Sequence, residues 1–170
     1  CESENGVMLG GVNRIWEYNH EEKKLVELVS FETPQAFKVD QILKGQGGDY
    51  FLFNSEGQIM HIYNSLTKSI RKFKGPWKPT YFKAFVDSKY RIWISDFNNG
   101  VLCINSLGEK LAEYNKSNSA MRSNIVLCYL EKNGYIWMGM HNGGVTRLNP
   151  DNGRVAVLWQ DPQYPSSMPS

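Results

Sequence analysis

The stretch that decides the fold runs from Ile125 to Leu158 and reads IVLCYLEKNGYIWMGMHNGGVTRLNPDNGRVAVL. Short runs of β-branched and aromatic residues alternate in it with turn residues. Asn133-Gly134 is the pair that a two-residue hairpin prefers, because both central residues of that turn need a positive φ. Two further turns are predicted at His141 to Gly143 and at Pro150 to Gly153. The stretch therefore predicts four short antiparallel strands joined by tight turns.

The same series recurs upstream with a period near 44 residues. Trp93 and Trp137 are 44 positions apart, and Phe51 stands at the matching place in a looser copy. The glycine before the third strand also repeats, and we take Gly11, Gly57, Gly100 and Gly144 as equivalent. Self-similarity at such a period is typical of repeat architectures built from one supersecondary unit.

A four-stranded meander of this length cannot bury both of its faces alone. Side-by-side stacking of such sheets lets large side chains at the Trp93 and Trp137 positions pack between neighbours. We therefore predict an all-β fold, a β-propeller fragment of about three and a half four-stranded antiparallel blades. The predicted boundaries are a part blade over 1–30, blades over about 31–75, 76–119 and 120–160, and a linker over 161–170 that leads to a missing blade.

The composition and the net charge of the chain argue against some kinds of partner. Of the 170 residues 41% are hydrophobic, and 19 basic residues against 17 acidic ones give a net charge of +2. So mild a charge does not favour nucleic acid or a membrane surface as the main partner. We find neither a membrane-spanning stretch nor a leader, and expect an excised part of a longer protein or a removed leader. Cys1 fits either a lipoprotein anchor or the point where the piece begins.

The reactive residues do not form a catalytic or metal-binding pattern. Cys103 and Cys128 lie in apolar strand-like runs, where we expect buried free thiols, with a disulfide between them as the alternative. The histidines, which are His20, His61 and His141, lie in different copies without metal-ligand spacing. Asp49 and Asp96 lie near predicted turns. The backbone hydrogen bonds that aspartate side chains accept in turns account for both positions. The sequence thus predicts no catalytic residue, no metal site and no cofactor.

The last copy resembles a known repeat. Asn133 to Gly139 (NGYIWMG), followed by Asn142 to Pro150 (NGGVTRLNP), is similar to the two-component regulator propeller repeat. That repeat has an Asn-Gly or Asp-Gly turn, a Trp-apolar-Gly strand and a Gly-Gly-apolar-x-Arg strand before a proline. The third copy departs from this form, since Ser95 replaces the glycine of the second strand and Asp87 to Tyr90 replace the turn.

The resemblance implies a setting and no reaction. Such repeats form the periplasmic sensor region of hybrid two-component histidine kinases in bacteria that degrade polysaccharides, where they bind oligosaccharides, usually as dimers. For this chain the resemblance implies a non-enzymatic ligand-sensing segment with an oligosaccharide ligand and dimerisation through propeller faces. It implies no nucleic-acid partner, and membrane attachment only through other parts of an inner-membrane protein. The alternatives are a structural dimerisation scaffold and a propeller-type polysaccharide lyase.

The predicted ligand site draws on loops that generally share one face of a propeller. These loops join the second strand to the third, or one blade to the next, and they offer aromatic rings for stacking and amides for sugar hydroxyls. The candidate residues are Trp77, Tyr81, Phe97, Asn98, His141 and Asn142. Packing between blades is the alternative role for Trp77 and Tyr81, and turn geometry is the alternative for His141 and Asn142.

One segment is strongly basic. No acidic residue occurs from Gly57 to Val86. The basic residues in the same segment are Lys68, Arg71, Lys72, Lys74, Lys78 and Lys83. Because aromatic residues are interleaved with them, Lys72, Lys74 and Lys78 are a candidate patch for an acidic saccharide or, more weakly, single-stranded nucleic acid. The alternative is an outer strand whose lysines discourage edge-to-edge pairing.

Overall fold

The computed structural model describes residues 1–32, 36–54, 59–75 and 82–159. All regular structure in these ranges is β-strand, and within each sheet every strand pairs antiparallel with the strand next to it along the chain. The first sheet contains β1 (Gly6–Gly10), β2 (Arg14–Asn19) and β3 (Lys24–Ser30). The second contains β4 (Gln41–Lys44), β5 (Asp49–Phe53), β6 (Ile59–Asn64) and β7 (Ser69–Lys74).

The third and fourth sheets follow the same plan. The third contains β8 (Phe82–Val86), β9 (Ile92–Asp96), β10 (Gly100–Ile104) and β11 (Lys110–Tyr114). The fourth contains β12 (Val126–Lys132), β13 (Tyr135–Met140), β14 (Gly144–Leu148) and β15 (Val155–Leu158). The chain divides into two compact units, Cys1–Pro79 with the first two sheets and Thr80–Ser170 with the last two. The predicted four-stranded meander is confirmed, while the predicted blade boundaries stay predictions.

In every sheet an asparagine is the last residue of the strand before the last one, or directly follows that strand. Asn64 Oδ1 accepts hydrogen bonds from the backbone N–H of Leu66 at 3.0 Å and of Thr67 at 2.9 Å. The equivalent asparagines, which make the same kind of bond, are Asn19, Asn105 and Asn149. This side-chain turn replaces a backbone hydrogen bond and fixes the connection between the two strands. It also defines which residues are equivalent from one sheet to the next.

The tryptophan register predicted from the sequence is correct. Trp93 pairs with Cys103 and Trp137 with Arg147, in each case two residues before the asparagine that ends the strand. Phe51 pairs with Ile62 at the same offset, so it occupies the equivalent place in the second sheet.

The glycine register is wrong in the first copy. Counted back from the asparagine, Gly144 corresponds to Arg14 at the start of β2, whereas Gly11 lies in the turn between β1 and β2. A pair of glycines favours any tight turn. The sequence similarity therefore aligned Gly11, which lies in a turn, with Gly144, which begins a strand. Gly57 lies outside the described residues.

One apolar core lies between the third and fourth sheets. Trp93, which is 1% exposed, contacts the side of the fourth sheet that carries Ile136, Met138 and Leu148. This contact confirms the prediction that the Trp93 position packs between neighbouring sheets. Burying a side chain of this size stabilises the fold by roughly 1.5–3 kcal/mol.

A second core lies between the first and second sheets. Met8, which pairs with Glu17 and so occupies the place of Trp93, packs with Tyr50, Leu52 and Tyr63. In both units, the side of the earlier sheet that carries the Trp93 position therefore packs on the side of the later sheet that carries the Ile136 position.

Candidate functional site

The connection between the third and fourth sheets, residues 115–125, brings two turns together. Asn124 Nδ2 donates a hydrogen bond to the carbonyl oxygen of Asn98 at 2.6 Å. His141 N–H donates to the carbonyl oxygen of Ile125 at 2.9 Å. Since Asn124 and Ile125 are consecutive, the β9–β10 turn and the β13–β14 turn meet at one end of the two sheets. We call this end the linker end.

Asp96 shapes the first of these turns. Its carboxylate accepts hydrogen bonds from the backbone N–H of Asn98 at 2.8 Å, from that of Asn99 at 2.5 Å and from Asn99 Nδ2 at 2.6 Å. The residue is only 8% exposed. These bonds confirm that Asp96 serves turn chemistry, as the sequence predicts.

The second turn has its own backbone requirements. Asn142 has φ 50° and Gly144 has φ 69°, both in the left-handed region. A Cβ on Gly143 would lie 2.8 Å from Ser123 Cβ, so the connection passes close to the turn. Turn geometry thus accounts for the backbone at 142–144 and leaves the His141 and Asn142 side chains exposed.

The linker end brings together Phe97, Asn98, His141 and Asn142, four of the six predicted ligand residues. Phe97 is 45% exposed. Within the described ranges, no residue hydrogen-bonds to the side chains of Asn98, His141 or Asn142. A ring for stacking, an imidazole and two amides are therefore presented to solvent, a set able to bind a polyhydroxylated ligand. Their role as ligand residues stays a prediction, and Trp77 and Tyr81 lie outside the described residues.

The predicted basic patch lies on a sheet edge. Lys72 and Lys74 are exposed on β7, the edge strand of the second sheet, and Lys78 lies outside the described residues. Arg71 beside them pairs with Asp49 at 3.0 Å. This position agrees with lysines that discourage edge pairing, and anion binding stays a prediction.

The end of the two sheets opposite the linker end holds a charged network that the sequence analysis missed. Asp87, 3% exposed, accepts hydrogen bonds from Arg91 Nε at 2.6 Å and Trp93 Nε1 at 2.9 Å. Its other oxygen accepts from the backbone N–H groups of Lys89 at 3.0 Å and Arg91 at 2.9 Å. The missed signal was an aspartate and an arginine four residues apart, with a tryptophan two residues later.

The network also joins the third sheet to the fourth. Asp151 accepts from Lys89 Nζ at 2.8 Å and from Arg91 Nη1 at 3.3 Å. The hydrogen bond from Lys89 lowers the pKa of Asp151 from its ordinary value. Glu131 accepts from the Ser88 hydroxyl at 2.6 Å and from its backbone N–H at 2.7 Å. The acids here act as structural acceptors, which leaves the linker end as the candidate binding site.

His61 lies in the core of the Cys1–Pro79 unit. It is 5% exposed, with Phe31 at 4.7 Å and Phe37 at 4.4 Å between ring centroids. Burial, with the nearby charge of Lys72, lowers the pKa of His61 from 6.5 to about 4. The imidazole is therefore neutral at pH 7.

His61 should make stability depend on pH. Between pH 6.5 and about pH 4 the unfolded chain binds a proton that the folded chain does not, so stability falls as the pH falls. Urea titrations at about pH 7.5 and about pH 5 should differ by about 2 kcal/mol from this group. His61→Phe should remove that difference, and His20→Gln, at an exposed position, should keep it. An equal pH dependence in wild type and His61→Phe would contradict the expectation.

The cysteines correct one expectation. Both Cys103 and Cys128 are free thiols, and burial raises the pKa of Cys103 to about 12. Cys128 is exposed, although a buried thiol was predicted there. Its register opposite Gly139 places it on the side of the fourth sheet that faces away from the core. An apolar run alone does not tell which alternate residues face the core.

Within residues 1–32, 36–54, 59–75 and 82–159, no three His, Cys, Asp or Glu residues lie close enough to hold a metal ion. No helix of the described chain is long and apolar enough to cross a membrane.

Comparison with known proteins gives structural matches. No protein-family model and no curated protein sequence matches the chain. A streptogramin B lyase matches with a TM-score of 0.65 and 19% identity, over 91% of this chain and 51% of that one. The extracellular domain of a putative one-component system from B. thetaiotaomicron matches with a TM-score of 0.65 and 15% identity, over 92% of this chain and 24% of that one.

A third match is the extracellular domain of a putative hybrid two-component system from the same organism, with a TM-score of 0.58 and 15% identity, over 91% of this chain and 25% of that one. The fold is a β-propeller segment. Its three four-stranded sheets are blades and its three-stranded first sheet is part of one, in agreement with the prediction of about three and a half blades. The chain spans about half of the lyase chain and about a quarter of each extracellular domain. Identities this low establish the fold alone.

Proposed function

We propose that this propeller segment belongs to the extracytoplasmic sensor part of a two-component-type protein and binds an oligosaccharide at the linker end. The observation that carries the proposal is the pair of hydrogen bonds by which 115–125 brings the β9–β10 and β13–β14 turns together. The fold shared with extracellular domains of putative one-component and hybrid two-component systems supports the setting. The segment itself acts by binding and not by catalysis.

The linker end has the chemistry that sugar recognition needs. The exposed Phe97 ring supplies an apolar face on which the C–H groups of a pyranose ring stack. The amides of Asn98 and Asn142 both donate and accept, so each can bind a pair of neighbouring hydroxyls. Hydrogen bonds from Asp96 and from residues 115–125 fix the backbone of the two turns. The side chains on these turns are therefore in place before the ligand binds, which lowers the entropic cost of binding.

A glycan array followed by calorimetry tests the site. The 170-residue chain is applied to arrayed plant and microbial oligosaccharides, and the strongest binder is titrated against wild type and variants. Phe97→Ala and Asn142→Gly should each weaken binding about tenfold or more. Asn142→Gly removes the amide while keeping a residue that accepts a positive φ.

Asn133→Gly is the matched control. Asn133 has φ 54° in the turn at the other end of the fourth blade, so this variant also removes an amide at a left-handed position. It should bind like wild type. Equal binding by all three variants would place the ligand elsewhere, and failure of wild type to bind any glycan would refute an oligosaccharide ligand. Oligogalacturonate on the same array tests the patch of Lys72, Lys74 and Lys78.

Two alternative functions have support of their own. The charged network around Asp87 supports a structural blade set without a ligand site, for which the array would stay blank. The fold shared with a streptogramin B lyase supports an eliminating enzyme. Incubation with a streptogramin B and with polysaccharides, followed by mass spectrometry, distinguishes that case, because an enzyme would release product and a sensor would not.

A further inference from the structure

The linker end also holds an arginine over a tryptophan ring. Arg122 Cζ lies 4.5 Å from the centroid of the Trp159 ring, within the distance at which a cation and an aromatic ring attract each other. Arg122 lies in the connection 115–125, and Trp159 directly follows β15. Both residues belong to the same compact unit as the candidate ligand residues of the linker end.

Two close approaches place this pair beside the β13–β14 turn. Ser123, the residue after the arginine, lies so near the turn that a Cβ on Gly143 would be 2.8 Å from the Ser123 Cβ. A Cβ on Gly144 would be 3.1 Å from Cε3 of the Trp159 ring. Since Gly143 directly follows Asn142, the arginine and the tryptophan extend the candidate ligand set beyond the four residues named above.

The Arg122 guanidinium has no carboxylate partner among the residues that the structure describes. Its interaction there is the contact with the Trp159 ring. Arg91 of the same unit differs, because Asp87 and Asp151 accept hydrogen bonds from its N–H groups. A guanidinium presents five N–H donors in a planar fork that matches two oxygens of a carboxylate or a sulfate. The fork of this exposed arginine is therefore available to an anion of the ligand.

The charges around Arg122 favour an anion as well. Over 96–99, 115–125 and 141–144 the basic residues are Arg122 and Lys116, and the acidic residue is Asp96, whose oxygens are occupied by donors of its own turn. Glu113, on β11 just before the connection, pairs with Lys110 at 2.6 Å. Lys116 is exposed and has no acidic partner in the described part of the chain.

We propose that the oligosaccharide bound at the linker end carries an anionic group, a uronate carboxylate or a sulfate ester, and that Arg122 binds this group. The proposal rests on the proposed function, because it names the class of saccharide for the same site. Trp159 is a positioning residue that holds the guanidinium through its ring and leaves the N–H groups to the ligand. Hydrogen bonds between a guanidinium and an oxyanion are charge-assisted and about twice as strong as neutral ones, so the anion should contribute strongly to affinity.

Calorimetry with trigalacturonate and with its methyl ester tests the proposal on the 170-residue chain. Wild type should bind the acid about tenfold or more tightly than the ester. Arg122→Gln should lose most of this preference and keep its affinity for the ester. Arg154→Gln is the matched control, because it removes an exposed arginine from the β14–β15 turn at the other end of the fourth blade, and it should bind like wild type. Sulfated and desulfated carrageenan oligosaccharides, which have no carboxylate, distinguish a sulfate ester from a uronate.

Trp159 variants test the positioning role. Trp159→Leu should lower the preference for the acid over the ester, and Trp159→Phe should restore part of it, because phenylalanine keeps an aromatic face. A merely structural role would lower the affinity for both probes alike and would overturn this part of the proposal. Raising NaCl from about 50 to about 500 mM should weaken binding of the acid and leave binding of the ester unchanged, since salt screens exposed charges.

The outcomes separate this proposal from the proposed function. If wild type binds neutral glycans and shows no preference within either pair of probes, the anionic ligand is refuted and the oligosaccharide site is retained. If wild type binds neither the probes nor any arrayed glycan, both are refuted. A preference for the acid that Lys72→Gln abolishes and Arg122→Gln does not would place the anion at the edge strand β7 and overturn the proposal. Arg122→Lys replaces Arg122→Gln if circular dichroism shows misfolding, and it should lose part of the preference because an ammonium lacks the planar fork.

Discussion

Asp87→Ala should lower the free energy of unfolding of this chain by about 3–5 kcal/mol. The carboxylate is buried and accepts four hydrogen bonds, from two backbone N–H groups, Arg91 Nε and Trp93 Nε1. Its removal leaves the Arg91 guanidinium, 17% exposed, without its closest counter-charge, and an indole N–H without an acceptor in the core. Loss of one partner of a buried pair costs far more than the pair itself contributes. Urea titration followed by circular dichroism measures the change.

Asp151→Ala is the matched control for this prediction. It removes another carboxylate that binds Arg91, but this one is 60% exposed and bonded at 3.3 Å. Because exposed ion pairs contribute little, the control should cost far less than Asp87→Ala. Equal losses of unfolding free energy in Asp87→Ala and Asp151→Ala would show that the loss comes from the charge left on Arg91 and not from the burial of Asp87.

Gly100→Ala should cost roughly 3–5 kcal/mol. Gly100 has φ 86°, a conformation that residues with a Cβ adopt only with strain. A Cβ there would overlap the carbonyl oxygen of Tyr114 on the paired strand β11. Backbone atoms cannot move aside without breaking the pairing of β10 with β11, so strain and steric overlap add. The midpoint of urea unfolding reports the loss.

Gly134→Ala separates these two causes. Gly134 has φ 74°, but a Cβ on it would meet no atom within 4 Å. Only the backbone strain remains, and we expect a loss of about 1–2 kcal/mol. Gly144→Ala should behave like Gly100→Ala, because its Cβ would overlap the Leu158 carbonyl oxygen at the equivalent place. A loss at Gly100 no larger than at Gly134 would refute the steric part of the explanation.

Part of the fold and of the candidate site could be predicted and part could not. The Asn133-Gly134 hairpin follows from a local rule, and both residues have the positive φ that the rule requires. The meeting of the turns at Asn98 and His141 follows from the propeller plan. The hydrogen bond from Asn124 that joins them does not, because nothing local distinguishes this asparagine from others in the connection.

The sequence by itself determined the strands, their turns and the repeat, because each depends on residues within a few positions of one another. Tertiary structure alone decided which side of each strand is buried. Cys128 shows this, since its apolar run looks like a core strand and its register opposite Gly139 still exposes it. Tertiary structure also decided the burial of Asp87. Its donors, Lys89, Arg91 and Trp93, are close to it in sequence, but only packing removes the water that would otherwise make the ion pair weak.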